Sequence, residues 1–129
     1  MVKVSVIIPV YNVAPYLGEC LDSVIQQSLT DIEIICIDDC STDDSSFLLK
    51  KYAESDIRIR LFYNERNRDL SFTRNRGLKE SCGEYVFFLD SDDALYDNEV
   101  LKELYIIAEQ DDAELVSGRT VNWFPDESG

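Results

Sequence analysis

Three aspartates follow a short apolar run in the second half of the sequence. Residues 86–89, VFFL, lead directly into Asp90, Asp92 and Asp93. Carboxylates this close together repel one another unless a positive charge lies between them. Carboxylates after a buried strand are typical of a site for a hard cation such as Mg²⁺ or Mn²⁺, which takes few protein oxygens and leaves room for phosphates. An ordinary solvated turn is the structural alternative, because aspartate is common in turns.

The overall charge and the missing residue types exclude several classes of function. The 129-residue chain has 12 Lys and Arg against 26 Asp and Glu, a net charge of −14, and no histidine. The acidic balance argues against nucleic-acid binding, which requires basic patches. The lack of histidine excludes Ser-His-Asp and Cys-His nucleophiles and every His-ligated metal. Catalysis would therefore depend on carboxylates, hydroxyls, backbone amides and a hard cation.

The length and the 45% hydrophobic content predict one folded domain with a substantial core. No apolar run approaches the roughly 20 residues that a membrane-spanning helix needs. We interpret the four cysteines, which form no Cys-x-x-Cys pair, as reduced and mostly buried thiols. These features favour a cytoplasmic protein, at most peripheral to the inner face of the membrane.

Apolar patterning predicts five strands that alternate with four helices. The predicted strands are residues 2–10, 31–38, 57–63, 84–90 and 113–120, and the predicted helices are residues 14–28, 41–55, 70–83 and 97–110. We expect Gly83 to close the third helix. The alternation is typical of an α/β fold, a three-layer sandwich with a mostly parallel sheet. The apolar face of the fourth helix is expected to hold Val100, Leu101, Leu104, Ile107 and Ala108.

Polar residues cluster at three predicted strand ends, which read PVYN at 9–12, DDCST at 38–42 and DSDD at 90–93. Ligands of open parallel sheets bind beyond the carboxyl ends of the strands, so we expect all three clusters at one edge of the sheet. Each cluster alone has a structural explanation. Asp38 and Asp39 are well placed to cap the second helix, and Tyr11 is compatible with an ordinary surface aromatic. Their convergence is what indicates a binding site.

Four stretches together resemble family-two glycosyltransferases with the GT-A fold. They are VSVIIPVYN, EIICIDDCSTDDS, NRDLSFTRNRGL and GEYVFFLDSDD, in the family's order. The resemblance implies that residues 1–129 form the Rossmann-like, nucleotide-sugar-binding part of one GT-A domain, which we expect to be incomplete at its C-terminal side. It implies transfer of a sugar from a nucleotide-diphosphate sugar, most often a UDP-sugar, to a carbohydrate or lipid-linked acceptor. The transfer would proceed with inversion and would use Mn²⁺ or Mg²⁺.

The resemblance also implies roles for individual residues, carried over by position. Pro9 and Tyr11 are expected to line the base pocket, with Tyr11 near the uracil. Asp39 is expected to accept a hydrogen bond from the base, and Asp90 to lie near the ribose and the diphosphate. Asp92, together with Asp90, is expected to ligate the metal ion that bridges the two phosphates.

Other positions are less settled by the resemblance. Arg74 lies in the family's Arg-Asn segment and is expected either to approach the diphosphate or to form a structural ion pair. Cys40 and Asp69 stand where the family often has glycine, so we expect a change in loop shape or nucleotide preference. The family's general base, usually Asp or Glu, comes from a later segment. We therefore expect the base and the acceptor site beyond residue 129, and an exposed sheet edge that allows a homodimer.

Two alternative functions stay open at this point. A phosphate-receiver signalling domain is also small, acidic and Mg²⁺-binding. However, its aspartate pair should follow strand one and a lysine should end strand five, whereas Asp38 and Asp39 follow strand two and ELVSGRT contains no lysine. A non-catalytic nucleotide-binding module is the second alternative, and donor hydrolysis or transfer would distinguish it from an enzyme.

Overall fold

The computed structural model describes residues 1–110 and the strand Arg119–Val121. Strands β1 to β5 are Val4–Val10, Ile32–Asp38, Ile59–Tyr63, Tyr85–Phe88 and Arg119–Val121. Helices α1 to α4 are Ala14–Ile25, Ser45–Ser55, Leu70–Glu80 and Val100–Gln110. The predicted alternation of strands and helices is confirmed, and residues 113–118 of the predicted fifth strand lie outside the described residues.

The five strands form one sheet in the order β3-β2-β1-β4-β5. All four neighbouring pairs run parallel, with Val4 of β1 opposite both Ile32 of β2 and Tyr85 of β4. The predicted α/β class is confirmed, and the described strands are parallel throughout rather than mostly so. The strand order reverses between β1 and β4, which is where sheets of this kind bind ligands.

Helices cover both faces of the sheet and produce the three expected layers. Successive residues of a strand point to opposite faces, so alternate residues of β1 join different cores. On the first face, helices α1, α2 and α4 pack against the sheet in one core that includes the fully buried side chains Val6, Ile8, Leu21, Ile34, Leu49 and Leu101. No helix within residues 1–110 is long and apolar enough to cross a membrane.

Helix α3 packs on the opposite face, and a glycine sets its distance from the sheet. Leu78 of α3 packs against a second core formed by Ile7, Ile35, Ile37 and Val86. A Cβ at position 77 would lie 2.5 Å from Ile7 Cγ2 and 3.1 Å from Ile37 Cδ1. Only glycine at this position lets the helix come so close to β1.

The third helix ends earlier than predicted, and Gly83 does not close it. Helix α3 ends at Glu80, and its C-cap residue Ser81 is extended. Gly83 lies instead where the chain passes β1, since a Cβ there would be 2.7 Å from Ser5 Oγ and 2.8 Å from Ser5 N. A glycine after a helical pattern has the same appearance in sequence whether it ends the helix or permits a close approach.

Two details of the other helices also differ from the predictions. Helix α2 begins at Ser45 rather than at residue 41, and its N-cap residue Asp44 makes no side-chain capping bond. The preceding residues bond to the loop after β1 instead, as described below. On α4, Val100, Leu101 and Ala108 are buried, but Ile107 is 52% exposed and does not belong to the buried face.

The cysteines are free thiols, as predicted. Cys20 and Cys36 are buried, Cys40 is half-buried and Cys82 is exposed. Burial raises the pKa of the Cys36 thiol to about 12, and a thiol that stays protonated is a poor nucleophile. Cys20 and Cys36 therefore act as small core residues.

A buried carboxylate joins α3 to the amino ends of β1 and β2. Glu33 is 5% exposed and accepts hydrogen bonds from Ser5 Oγ at 2.5 Å, Arg60 Nη1 at 2.9 Å and Cys82 N at 2.7 Å. Burial by itself raises the pKa of Glu33, but the bonds from Ser5, Cys82 and Arg60 outweigh it and leave the pKa below its usual range. Folding therefore favours the charged form of Glu33.

We expect Glu33→Gln to lower the free energy of unfolding by about 1–3 kcal/mol at neutral pH, because it leaves Arg60 without its buried carboxylate. Since folding lowers the pKa of Glu33, its contribution is present above about pH 4.3, the usual glutamate pKa, and is lost as the pH falls further. Urea unfolding of the parent and the variant at neutral and acidic pH measures both effects.

Glu80→Gln is the matched control for this prediction. Glu80 contacts the same arginine at 3.4 Å, but its side chain is 39% exposed, so its loss should cost less than about 1 kcal/mol. Equal stability of Glu33→Gln and the parent at neutral pH would show that the buried carboxylate contributes nothing.

Candidate functional site

An open cleft of about 400 Å³ lies at the carboxyl ends of β1, β2 and β4. Its volume is in the range of small-molecule sites. Five of the residues proposed from the sequence line it, namely Pro9, Tyr11, Asp39, Asp90 and Asp92. The structure therefore brings the three polar strand ends to one edge of the sheet, at the point where the strand order reverses.

The side chain of Asn12 joins the loop after β1 to the loop after β2. Asn12 Oδ1 accepts hydrogen bonds from Thr42 N at 2.7 Å and Asp43 N at 3.3 Å, and Asn12 N donates to Ser41 Oγ at 3.0 Å. The backbone of Asn12 is left-handed, with a φ of 51°, which asparagine tolerates better than most residues. These bonds hold the neighbouring Tyr11, which is 48% exposed, at the wall of the cleft.

The turn after β2 contains a second left-handed residue. Cys40 has a φ of 64°, the region that favours glycine, and this accounts physically for glycine being frequent at the position. Asp38 stabilises the turn, because it accepts hydrogen bonds from Ser41 N at 2.9 Å and from Ser46 Oγ. Cys40 thus adopts the backbone conformation that a glycine would adopt there.

Asp39 organises the loop between β3 and α3 and does not cap α2. Its Oδ1 accepts hydrogen bonds from Asn64 Nδ2 at 2.8 Å and Arg68 N at 2.7 Å, and its Oδ2 accepts one from Asn67 Nδ2 at 3.2 Å. The N-cap of α2 is Asp44, so the capping interpretation of Asp39 is wrong. A carboxylate has about four acceptor positions, which leaves one on Oδ2 for a group in the cleft.

Asn67 and Arg68 form part of the cleft wall, although the sequence does not single them out. The available signal is the position of NERNRD, which follows β3 and so lies near the same edge of the sheet. Asp69, the next residue, is the N-cap of α3, and its Oδ1 accepts a hydrogen bond from Phe72 N at 2.8 Å. The aspartate at this position therefore stabilises the start of α3.

The aspartates after β4 form a cluster that suits a hard cation. Carboxylate oxygens of Asp90, Asp92 and Asp93 lie within 4.8 Å of one another, with Asp90 half-buried and the other two exposed. Oxygen ligands at this spacing fit Mg²⁺ or Mn²⁺. The sequence marks Asp90 and Asp92 as the ligand pair, and the structure adds Asp93 to the group.

Arg74 offsets part of this negative charge from α3. Its Nη2 lies 3.3 Å from Asp90 Oδ1, and its Cζ lies 5.4 Å from the centre of the Phe88 ring. Its Nε is buried without a hydrogen-bond partner among the residues that the structure describes. Of the two roles expected for Arg74, the structure shows the ion pair. Its partner Asp90 lines the cleft.

Comparison with known proteins identifies the family. The model for "Glycosyl transferase family 2" matches residues 5–128. The chain belongs to glycosyl transferase family 2. The resemblance seen in the four sequence stretches is therefore confirmed, and family membership replaces the receiver-domain alternative.

Relatives of this glycosyltransferase-family chain are considerably longer than it is. Glycosyltransferase GlyA of Streptococcus pneumoniae is 50% identical over 91 residues, which are 70% of this chain and 13% of GlyA. TarS of S. aureus in complex with UDP-GlcNAc is 34% identical, with a TM-score of 0.75 over 84% of this chain and 31% of the TarS chain. A mannosyltransferase of Pyrobaculum calidifontis in complex with GDP-Man and Mn²⁺ is 28% identical, with a TM-score of 0.73 over 77% of this chain and 30% of the other. The chain thus spans a third or less of each of these three proteins. The similarity to the two solved structures confirms the expected Rossmann-like GT-A fold.

We expect Asn12→Ala to lower the free energy of unfolding by about 1–3 kcal/mol, because it removes the acceptor for two backbone N–H groups and strains a left-handed position. Asn12→Gly separates these effects, since glycine tolerates the backbone and loses only the hydrogen bonds, about 1 kcal/mol. Urea unfolding measures both variants. Asn75→Ala, at an exposed position of α3, is the control and should be close to neutral. A glycine variant less stable than the alanine variant would contradict the role of the backbone.

Proposed function

We propose that this chain supplies the donor- and metal-binding part of an enzyme that transfers a sugar from a nucleotide-diphosphate sugar, with a UDP-sugar as the expected donor. The observation that carries the proposal is the composition of a single cleft. Tyr11 and Asp39 offer an aromatic face and a carboxylate acceptor, and Asp90 and Asp92 offer ligands for a cation. Two solved relatives that contain nucleotide sugars support the proposal.

The base side of the cleft has the groups that a uracil requires. Tyr11 is half-exposed and presents a ring for stacking, and stacking of a base on an aromatic contributes about 1–3 kcal/mol. The N3–H of uracil is a donor, and Asp39 Oδ2 keeps one acceptor position after its bond to Asn67. Pro9 lines the same cleft as Tyr11.

The metal side of the cleft would be formed by Asp90 and Asp92, with Asp93 beside them. When bound there, Mn²⁺ or Mg²⁺ supplies positive charge against the charge that develops on the leaving diphosphate. In a chain of net charge −14, such a cation also offsets the repulsion between a diphosphate and the carboxylates. Arg74 orients Asp90 through the ion pair at 3.3 Å.

Transfer with inversion needs a base that takes the proton from the acceptor hydroxyl as it attacks the sugar. Because the chain spans a third or less of its relatives, we place that base and the carbohydrate or lipid-linked acceptor site in later residues of the whole protein. The residues of this chain would bind the nucleotide, hold its diphosphate and fix the direction from which the acceptor approaches. A homodimer formed along the sheet edge stays a prediction.

We expect Asp92→Ala to weaken the binding of UDP in the presence of Mn²⁺ by roughly 10- to 100-fold, because a charged ligand contributes about 1.5–3 kcal/mol. Binding of uridine without metal should be unaffected, since uridine carries no phosphate. Calorimetric titrations of UDP and uridine, with and without Mn²⁺, measure both.

Glu54→Ala is the control for the loss of one negative charge, because Glu54 is exposed on α2. It should bind UDP like the parent. If Asp92→Ala binds UDP with Mn²⁺ as tightly as Glu54→Ala does, Asp92 is not a metal ligand.

The hydrogen bond between Asp39 and the base can be tested by changing the ligand. We expect the parent to bind uridine roughly tenfold more tightly than N3-methyluridine, because the methyl group removes the N–H that a charged acceptor would bind. In Asp39→Asn this preference should shrink, whatever the variant does to overall affinity. An equal preference in the parent and in Asp39→Asn would assign Asp39 to loop structure alone.

A further inference from the structure

A second groove lies beside α3, on a different side of the helix from the nucleotide cleft. Leu70 and Thr73 of α3 line the cleft, whereas Phe72 and Arg76 line this groove. The groove has a volume of about 460 Å³, and we name it the arginine groove after its lining residues Tyr63, Asn64, Glu65, Arg66, Arg68, Phe72 and Arg76. Arg68 lines both spaces.

The arginines of this acidic chain are concentrated in the segment of the sequence that supplies the groove. Six of the 12 Lys and Arg residues are arginines between positions 58 and 76, a segment that contains only two acids, Glu65 and Asp69. The chain as a whole has 26 acids. This segment therefore has a net positive charge within a chain of net charge −14.

Three of these six arginines are explained by structural ion pairs, and the other three all line the groove. Arg58 pairs with Asp56, Arg60 with Glu33 and Glu80, and Arg74 with Asp90. Arg66, Arg68 and Arg76 form no ion pair with any carboxylate of the described residues, although Glu65 lies in the same groove. Three guanidinium groups without an acidic partner thus face one concave space.

Aromatic rings complete the groove and orient its arginines. Tyr63 is 42% exposed and Phe72 is 39% exposed. The Cζ of Arg68 lies 3.9 Å from the centre of the Phe72 ring, and Arg76 Nη1 donates to the buried Asn64 Oδ1 at 2.9 Å. A guanidinium stacked on a ring and one held by an amide lose little freedom when they bind an anion.

We propose that the arginine groove binds a small anion in which a phosphate or carboxylate group is attached to a flat, ring-containing body. Arginine recognises both anions through paired N–H donors, and the rings of Tyr63 and Phe72 offer a surface for stacking. The ligand is distinct from the sugar donor of the cleft, because the two spaces share only one lining residue, Arg68.

The size and charge of the surroundings favour a small ligand over a macromolecule. A stable protein interface needs roughly 20–30 residues on each side, whereas seven residues line the groove. An extended anionic membrane would meet the acidic remainder of a chain with net charge −14. A small anion is affected mainly by charges within a Debye length of roughly 8–10 Å, and the lining of the groove itself contains three arginines and one acid, Glu65.

The shared residue Arg68 gives the groove a route to the nucleotide cleft. Its backbone N–H bonds to Asp39 Oδ1 at 2.7 Å, and its side chain lies on Phe72 in the groove. An anion that contacts the guanidinium of Arg68 therefore binds a residue that also lines the cleft and whose backbone bonds to Asp39.

Titration of this chain with phenyl phosphate, followed by amide NMR, tests the proposal. We expect saturable shifts at Arg66, Phe72 and Arg76, with roughly three- to tenfold weaker binding of inorganic phosphate, which lacks the ring. Arg66→Gln should weaken phenyl phosphate binding roughly tenfold, and Arg66→Lys should restore part of it. Arg66 is exposed and makes no hydrogen bond or ion pair within the described residues, so these variants should fold like the parent.

Lys50→Gln is the control, because it removes one exposed positive charge from α2. It should bind phenyl phosphate like the parent. The proposal is overturned by any of three results, namely no saturable shift in the groove, equal binding by Arg66→Gln and Lys50→Gln, or shifts confined to cleft residues such as Tyr11 and Ser91. The test uses neither UDP nor metal, so its outcome does not depend on the proposed transfer reaction.

Discussion

The parallel pairing of β1 with both β2 and β4 is the constraint on which the site depends. Parallel strands end at the same edge of a sheet, so residues far apart in the chain come together beyond that edge. The register places Val10 opposite Asp38, and Leu89 N, just after β4, donates to Ile7 O at 3.0 Å. A slip of one residue in either pairing would turn the buried side chains of β1 to the wrong face. Burial of both faces therefore fixes the geometry of the cleft.

The loops at this edge are held by hydrogen bonds more than by apolar packing. Asn12 and Cys40 adopt left-handed conformations, each unfavourable by roughly 1–2 kcal/mol for a non-glycine residue. Hydrogen bonds that Asn12 accepts from Thr42 N and Asp43 N, and one that it donates to Ser41 Oγ, offset the strain at Asn12, at about 1 kcal/mol for each bond. Asp39 likewise holds the loop before α3, because it accepts hydrogen bonds from Asn64, Asn67 and Arg68. The carboxylate of Asp39, which is 7% exposed, has these hydrogen bonds to compensate for its burial.

Charged residues have different roles in different parts of the molecule. The carboxylates after β4 are spaced so that they could hold a cation, and Arg74 supplies positive charge beside one of them, Asp90. The arginines that have acidic partners stabilise the fold, as Arg60 does with the buried Glu33. Among residues 1–110, the arginines without such partners, Arg66, Arg68 and Arg76, line one groove beside α3. Residues of a single helix therefore line the proposed donor cleft and the proposed anion site.

The sequence by itself determined the fold class, the family and most of the cleft. Strand and helix patterns are local, and a parallel α/β sheet places its ligand site at the strand ends, so Pro9, Tyr11, Asp39, Asp90 and Asp92 could be proposed before any coordinates. Only the tertiary structure decided the rest, because it depends on contacts between distant segments. Gly83 lies against Ser5 and does not end α3. Asp39 bonds to the loop before α3 and not to α2. Residues before Ser45 bond to Asn12, so α2 begins later than predicted. The arginine groove also could not be predicted, because the sequence does not show which arginines form ion pairs with carboxylates and which do not.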